Sequence, residues 1–122
     1  MPFYSGVKLT IELTDDARAS LVEAEAHVSP NDAACKAQLR RLLQRLADIG
    51  HLRSGDQWNN EGDGFFAVKT RCCLRAYGWY HRYRRQVFMI SHFICKKRQR
   101  LDPADIERAR KNRDQCYQGE KS

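Results

Sequence analysis

The stretch GFFAVKTRCCLRAYGWYHRYRRQVFMISHFICKKRQRL, Gly64–Leu101, decides the fold. It holds three apolar and aromatic runs separated by polar breaks, the pattern of consecutive strands. Phe65–Arg71 is the first run, Cys72–Tyr80 the second and Gln86–Cys95 the third. A tight turn is expected near Arg71–Cys73 and a very polar one at His81–Arg85. In the third run Val87, Phe88, Met89 and Ile90 are all apolar, as a central strand covered on both faces requires. Period-two alternation puts Arg75, Tyr77 and Trp79 on one face of the second run, and Leu74, Ala76, Gly78 and Tyr80 on the other. On the first run Phe65, Ala67, Lys69 and Arg71 share a face, which brings Lys69 and Arg75 toward one basic patch.

Upstream, Val7–Leu13 alternates apolar and polar and reads as a half-buried strand. Thr14 then has the chemistry of an N-cap, with Asp15 and Asp16 in a first turn whose dipole favours acids. Ala17, Leu21, Ala24 and Val28 recur at helical spacing, giving a first helix to about Val28. Ser29 and Pro30 restart the chain into a second helix. That helix carries Ala34, Leu39, Leu42, Leu43, Leu46 and Ile49 on one side and ends at Gly50. The short connection predicts an αα-hairpin. His51–Gly64, with three glycines and several Asp and Asn residues, is expected to be a mobile loop. Asp102-Pro103 opens a last helix, which is expected to fray from Gln118. The expected fold is thus α+β over a single domain, residues 1–122: a small antiparallel sheet, a helix hairpin on one face, the other face open, and a C-terminal helix.

Charge is concentrated in the deciding stretch. Residues 64–101 hold 10 Lys and Arg and no Asp or Glu, whereas residues 1–63 hold 7 basic and 10 acidic residues, and 102–122 hold 5 of each. An evenly basic surface would spread the formal charge of +7 along the chain. The concentration points to a binding face for RNA, DNA or an acidic protein. The aromatic residues within the block suit stacking on bases. The five cysteines, Cys35, Cys72, Cys73, Cys95 and Cys116, are odd in number and contain no C-x-x-C pair. They therefore read as reduced thiols in a cytosolic chain, with neither a zinc site nor a disulfide framework. Met1–Thr10 has no cationic segment followed by an apolar core, and no apolar run approaches membrane-spanning length.

One longer pattern is specific. Ile90-Ser91-His92-Phe93-Ile94-Cys95-Lys96-Lys97, followed by Leu101-Asp102-Pro103-Ala104-Asp105-Ile106-Glu107-Arg108-Ala109-Arg110, resembles the RelE/HigB toxin superfamily, and its phage-derived HigB-like branch in particular. That branch ends with an F-x-K-K strand, a spacer containing proline, and an I-x-x-A helix. Arg75 on the preceding strand stands where the family carries an Arg in a y-R-x-x-y setting, with Leu74 and Gly78 here at the aromatic positions. The resemblance covers residues 60–117. It departs at Phe66-Ala67-Val68-Lys69, where the family often has a Glu-Leu-Arg-like strand end.

The resemblance implies a RelE-like fold and a bacterial type II toxin. Such a toxin is a cytoplasmic endoribonuclease that cuts mRNA on the ribosome and is silenced by a cognate antitoxin, here expected to be of helix-turn-helix type. It implies no cofactor. Cleavage without metal proceeds by 2′-OH attack on the adjacent phosphate, which needs a base, a cation on the developing phosphorane and an acid for the leaving oxygen. Arg75 suits bidentate phosphate binding. Lys69 and Lys97 suit charge stabilisation, or one of them acts as base; His92 suits acid or base work. The stretch itself contains no carboxylate for these roles. Arg71, Tyr77, Arg82, Arg84, Arg85, Lys96 and Arg98 are candidate RNA contacts. Each has an ordinary alternative: a structural histidine among apolar neighbours, packing aromatics, a solvated basic face. A non-enzymatic module binding RNA or an acidic partner on the same face remains open.

Overall fold

The computed structural model describes residues 3–53, 55, 57–96 and 103–121, with side-chain surroundings through 118. The strands are β1 (Tyr4–Ser5), β2 (Thr10–Leu13), β3 (Trp58–Gly62), β4 (Phe65–Lys69), β5 (Leu74–Tyr80) and β6 (Val87–Cys95). The helices are α1 (Asp15–Ala26), α2 (Ala34–Ile49) and α3 (Pro103–Lys121), with a 3-10 turn at Pro30–Asp32. The six strands form one sheet in the order β1-β2-β6-β5-β4-β3. Among the described residues no helix is long and apolar enough to cross a membrane.

The chain is α+β, as expected, but the sheet is mixed. β2 runs parallel to β6, pairing Ile11 with Phe88 and Leu13 with Ile90, and every other pair is antiparallel. Alternation fixes which residues share a face and says nothing of a distant partner's direction. β6 is the inner strand that its all-apolar start requires, buried from Val87 to Phe93. Two strands lie where none was expected. β1 has only two residues, and β3 (WNNEG) has polar residues inside the segment assigned to a mobile loop. β3 forms a hairpin with β4 through the Gly62–Gly64 turn.

Thr14 caps α1 as its sequence setting demands, its side chain accepting from the Ala17 N–H at 3.0 Å. The helix stops at Ala26, two residues short of Val28, and Ser29-Pro30 opens the 3-10 turn instead of α2 itself. α2 buries Leu39, Leu42, Leu43 and Leu46 but leaves Ile49 exposed, and ends on Gly50 in the left-handed conformation (φ 96°). These residues, with Ala17 and Ala24 of α1 and Leu74, Ala76, Phe88, Ile90 and Phe93 of the sheet, form the larger core on one face.

The opposite face is not open. α3 covers part of it with a second core of Phe65, Trp79, Val87, Met89, Ile106 and Ala109. Polar clamps hold the helix there. Arg108 makes a two-pronged contact with Asp16 (2.7 and 2.6 Å), and Arg110 Nε donates to Asp63 at the tip of the β3–β4 hairpin (2.8 Å). In sequence this helix mixes Ile106, Ala109 and Tyr117 with Arg110 and Arg113 on one stripe, which gave no sign that it would close a sheet face. Its backbone remains helical to Lys121, past the expected fraying point at Gln118.

The cysteines also depart from expectation. Cys35 of α2 is bridged to Cys72, and Cys73 to Cys95 of β6, with Cα separations of 6.1 and 4.5 Å; Cys116 takes part in neither bridge. Adjacent Cys72 and Cys73 project to opposite sides of the turn and so reach different partners. Neither an odd total nor the absence of C-x-x-C bears on pairings made by tertiary contacts. Protein purified without reductant should therefore show one reactive thiol per denatured chain on titration with a thiol reagent, rising to five after reduction. Five thiols before reduction would mean that the bridges do not form.

Candidate functional site

Geometry on the α3-covered face starts from an irregularity in β6. Its pairing with β5 shifts between Tyr77 and Gly78, so that Tyr77 faces His92, Gly78 faces Ile90, and Ser91 has no partner across the ladder. Gly78 makes this possible, because a β-carbon there would meet the Met89 carbonyl oxygen and the Phe88 ring. A bulge changes the side-chain parity of its strand and re-aims the residues beyond it. Here it turns His92 onto the same face as Met89. The Ser91 carbonyl, lost to the ladder, accepts from Thr14 Oγ1 (2.6 Å) and Asn112 Nδ2 (3.1 Å). Ser91 Oγ lies 2.8 Å from His92 Nδ1 and accepts from Asn112 Nδ2 (2.9 Å).

Register then assembles the rest. Lys69 pairs with Arg75 as the last pair before the β4–β5 turn, and Tyr77 pairs with Ala67 on one side and His92 on the other. Lys69, Arg75, Tyr77 and His92 therefore share one face. The Tyr77 and His92 rings stack, with centroids 5.1 Å apart and planes 16° from parallel. Asn59 of β3 accepts from Lys69 Nζ when its amide is oriented to satisfy its neighbours. From above, α3 supplies Asp105. Its carboxylate lies 3.4 Å from His92 Nε2 and 3.7 Å from Lys96 Nζ, separations of ion pairs without hydrogen-bond alignment.

The cluster is deeply set. His92 is fully buried and Tyr77 1% exposed, while Arg75 and Lys69 keep 5% and 8% of their surface. Of the cluster, Lys69, Arg75, Lys96 and Asp105 keep some exposed surface, whereas Tyr77 and His92 meet a ligand only after rearrangement. Burial pushes the Tyr77 hydroxyl up to about 12, and the Asp105 charge adds to this, outweighing a hydrogen bond from Arg75. Tyr77 is thus a proton-bearing donor at neutral pH. Burial also works to raise the Asp105 carboxyl, yet His92, Lys96 and Arg108 together hold it below the usual carboxylate range. Asp16 is held low by its Arg108 hydrogen bonds, against burial and with help from Asn112.

Both depressed carboxyls favour the charged form in the fold. Their contribution is complete above the ordinary carboxylate pKa and is lost as pH falls through their folded values. Urea unfolding should accordingly give a flat stability near neutrality and a decline below about pH 4. Arg108→Met should make that acid decline shallower. An unchanged acid limb in the variant would show that the Asp16 clamp carries no such linkage.

The structure thus gathers Lys69, Arg75, Tyr77, His92 and Lys96, five residues proposed on sequence grounds. It does not gather the others. Arg71 is exposed in the β4–β5 turn. Arg82, Arg84 and Arg85 are exposed at the far end of β5 and β6, and Arg84 is bound to Glu12. Lys97 and Arg98 lie outside the described residues. His81, at the start of the polar turn expected at His81–Arg85, is buried, and its Nδ1 accepts from the Tyr83 and Arg84 N–H groups (3.1 and 3.0 Å), shaping the turn.

Asp105, Asn112, Ser91 and Asp16 were missed as site residues. The basic stretch has no carboxylate, but α3 brings one to it. A signal existed: Asp105 and Asn112 are seven residues apart, two helical turns, beside the buried Ile106 and Ala109. No protein-family model matches this chain, and no curated protein matches it.

Proposed function

We propose that this chain is an endoribonuclease of the RelE/HigB toxin type, cutting mRNA on the ribosome in the cytoplasm and held inactive by a cognate antitoxin of helix-turn-helix type. The observation carrying this reading is the paired Lys69 and Arg75 at the end of β4 and β5, backed by Tyr77, His92 and Asp105 on one sheet face. Two adjacent cations with a small exposed surface suit one phosphate. Arg75 grips it bidentately, and Lys69 stabilises the charge that grows on the phosphorane as the 2′-OH attacks and gives up its proton to solvent water. Tyr77, 1% exposed and hydrogen-bonded to Arg75, donates its proton to the leaving 5′-oxygen only once substrate entry rearranges the cluster. His92 is sealed from solvent, so its role is to position Tyr77 by stacking; it is not assigned proton transfer. Asp105 is the resident anion, beside His92 and Lys96, and an entering phosphate takes over part of its partnership with Lys96.

Burial of the cluster also favours a second reading, a non-enzymatic module that binds RNA or an acidic partner through its exposed arginines. Expression in growing bacteria without an antitoxin separates the two. The nuclease reading expects immediate arrest of protein synthesis with cleaved messages. Normal growth with intact messages contradicts it and leaves the module.

A further inference from the structure

A second cationic feature lies outside this cluster, where α2 faces the β4–β5 turn. A cleft of about 830 Å³ opens there, and Arg41 and Arg45 of α2 and Arg71 of the turn stand along it. Gln38 and Gln57 add uncharged hydrogen-bonding groups, and among the described residues Asp32 is the one carboxylate of the lining. All three arginines are exposed, and none has a carboxylate within 4 Å among the described residues. Arg41 and Arg45 are one helical turn apart on the same face, a like-charge arrangement that costs the helix stability.

The cleft is built and held. The Arg71 N–H donates to Gln38 Oε1 at 2.9 Å, fixing the turn against the helix, and the Cys35–Cys72 bridge ties the same two walls. It also borders the candidate site: the Lys69 N–H donates to the Gln57 carbonyl at 3.0 Å, and Arg71 follows Lys69 by two residues. The cleft lies on the α2 side of the sheet and the Lys69–Arg75 pair on the α3 side, so a strand passes from one to the other over the sheet end at the β4–β5 turn.

We infer that this cleft holds the phosphodiester backbone of single-stranded RNA flanking the nucleotide at Lys69 and Arg75. The inference rests on the nuclease reading for its direction and extends it to a separate subsite. Guanidinium forks match phosphate oxygens in pairs. The rise of about 6 Å between Arg41 and Arg45 is comparable to one nucleotide step of an extended strand. The cleft has no aromatic lining residue, so it tracks backbone and does not read bases.

The test uses the full chain carrying Arg75→Ala, which keeps a labelled 12-nucleotide RNA intact, and measures anisotropy across a salt series. Adding Arg41→Gln and Arg45→Gln should weaken binding about tenfold at 0.15 M salt. The slope of log affinity against log salt should fall by about 1.4, two phosphates at about 0.7 each. Both substitutions are at exposed positions, so an unchanged melting temperature certifies the fold. RNA binding with the same affinity and slope in the variants overturns the cleft and leaves the nuclease reading standing. No RNA binding by any form, with poly-glutamate bound through the same arginines, overturns the cleft as an RNA site and assigns it to an acidic protein. Absence of ribosomal mRNA cleavage by the wild-type chain, with the binding loss still present, removes the nuclease reading alone.

Discussion

On the proposed nuclease reading, Arg75→Ala should lower the rate of mRNA cleavage by roughly a thousandfold and abolish translational arrest, the scale expected when a transition-state charge contact is lost. The residue is chosen by its place. It is the register partner of Lys69 and hydrogen-bonds the Tyr77 hydroxyl, so it joins the phosphate-binding cation to the proton donor. Arg75→Lys keeps a charge but loses the planar fork and should recover only a small part of the activity. The variant must be shown to fold, because Arg75 is buried and its removal leaves Tyr77 short of a partner. A circular dichroism spectrum and a melting curve near those of the wild type settle that point. A folded Arg75→Ala protein with wild-type cleavage removes Arg75 from the chemistry.

The second large effect is on stability. Asp105→Ala should cost about 3 kcal/mol, the scale seen when one partner of a buried charged group is deleted. It leaves His92 and Lys96 with no carboxylate, beneath a helix that covers them. For a chain of this size the loss lowers the melting temperature by roughly 10 °C. Asp105→Asn keeps the volume and some hydrogen bonding and should cost less. Equal melting temperatures for wild type and Asp105→Ala would show that the carboxylate does not hold α3 on the cluster.

How much of this was legible depends on whether the signal was local. The Thr14 cap, the Leu39–Leu46 stripe and the Gly50 stop are written in neighbouring residues, and they form as read. The alternation of Arg75, Tyr77 and Trp79 against Leu74 and Ala76 is equally local, and it divides the two cores. The parallel pairing of β2 with β6 was not legible, since it joins residues more than seventy positions apart. β3 was missed because Trp58-Asn59-Asn60 lacks strand chemistry and pairs only because β4 offers an edge. The site followed the same division. Lys69, Arg75 and His92 came from strand patterns, whereas Asp105 and Asn112 reach it only once α3 closes the far face. Burial was the other hidden quantity. His92 is fully buried, with its ring stacked on Tyr77.

The most direct measurement is the mapping of mRNA 5′ ends after programmed ribosomes are incubated with the purified wild-type chain and with its Arg75→Ala variant. The account predicts new ends at defined codon positions with the wild type, carrying the 5′-hydroxyl that 2′-OH attack leaves, and none with the variant. Intact mRNA with both proteins, or equal cleavage by both, would contradict it.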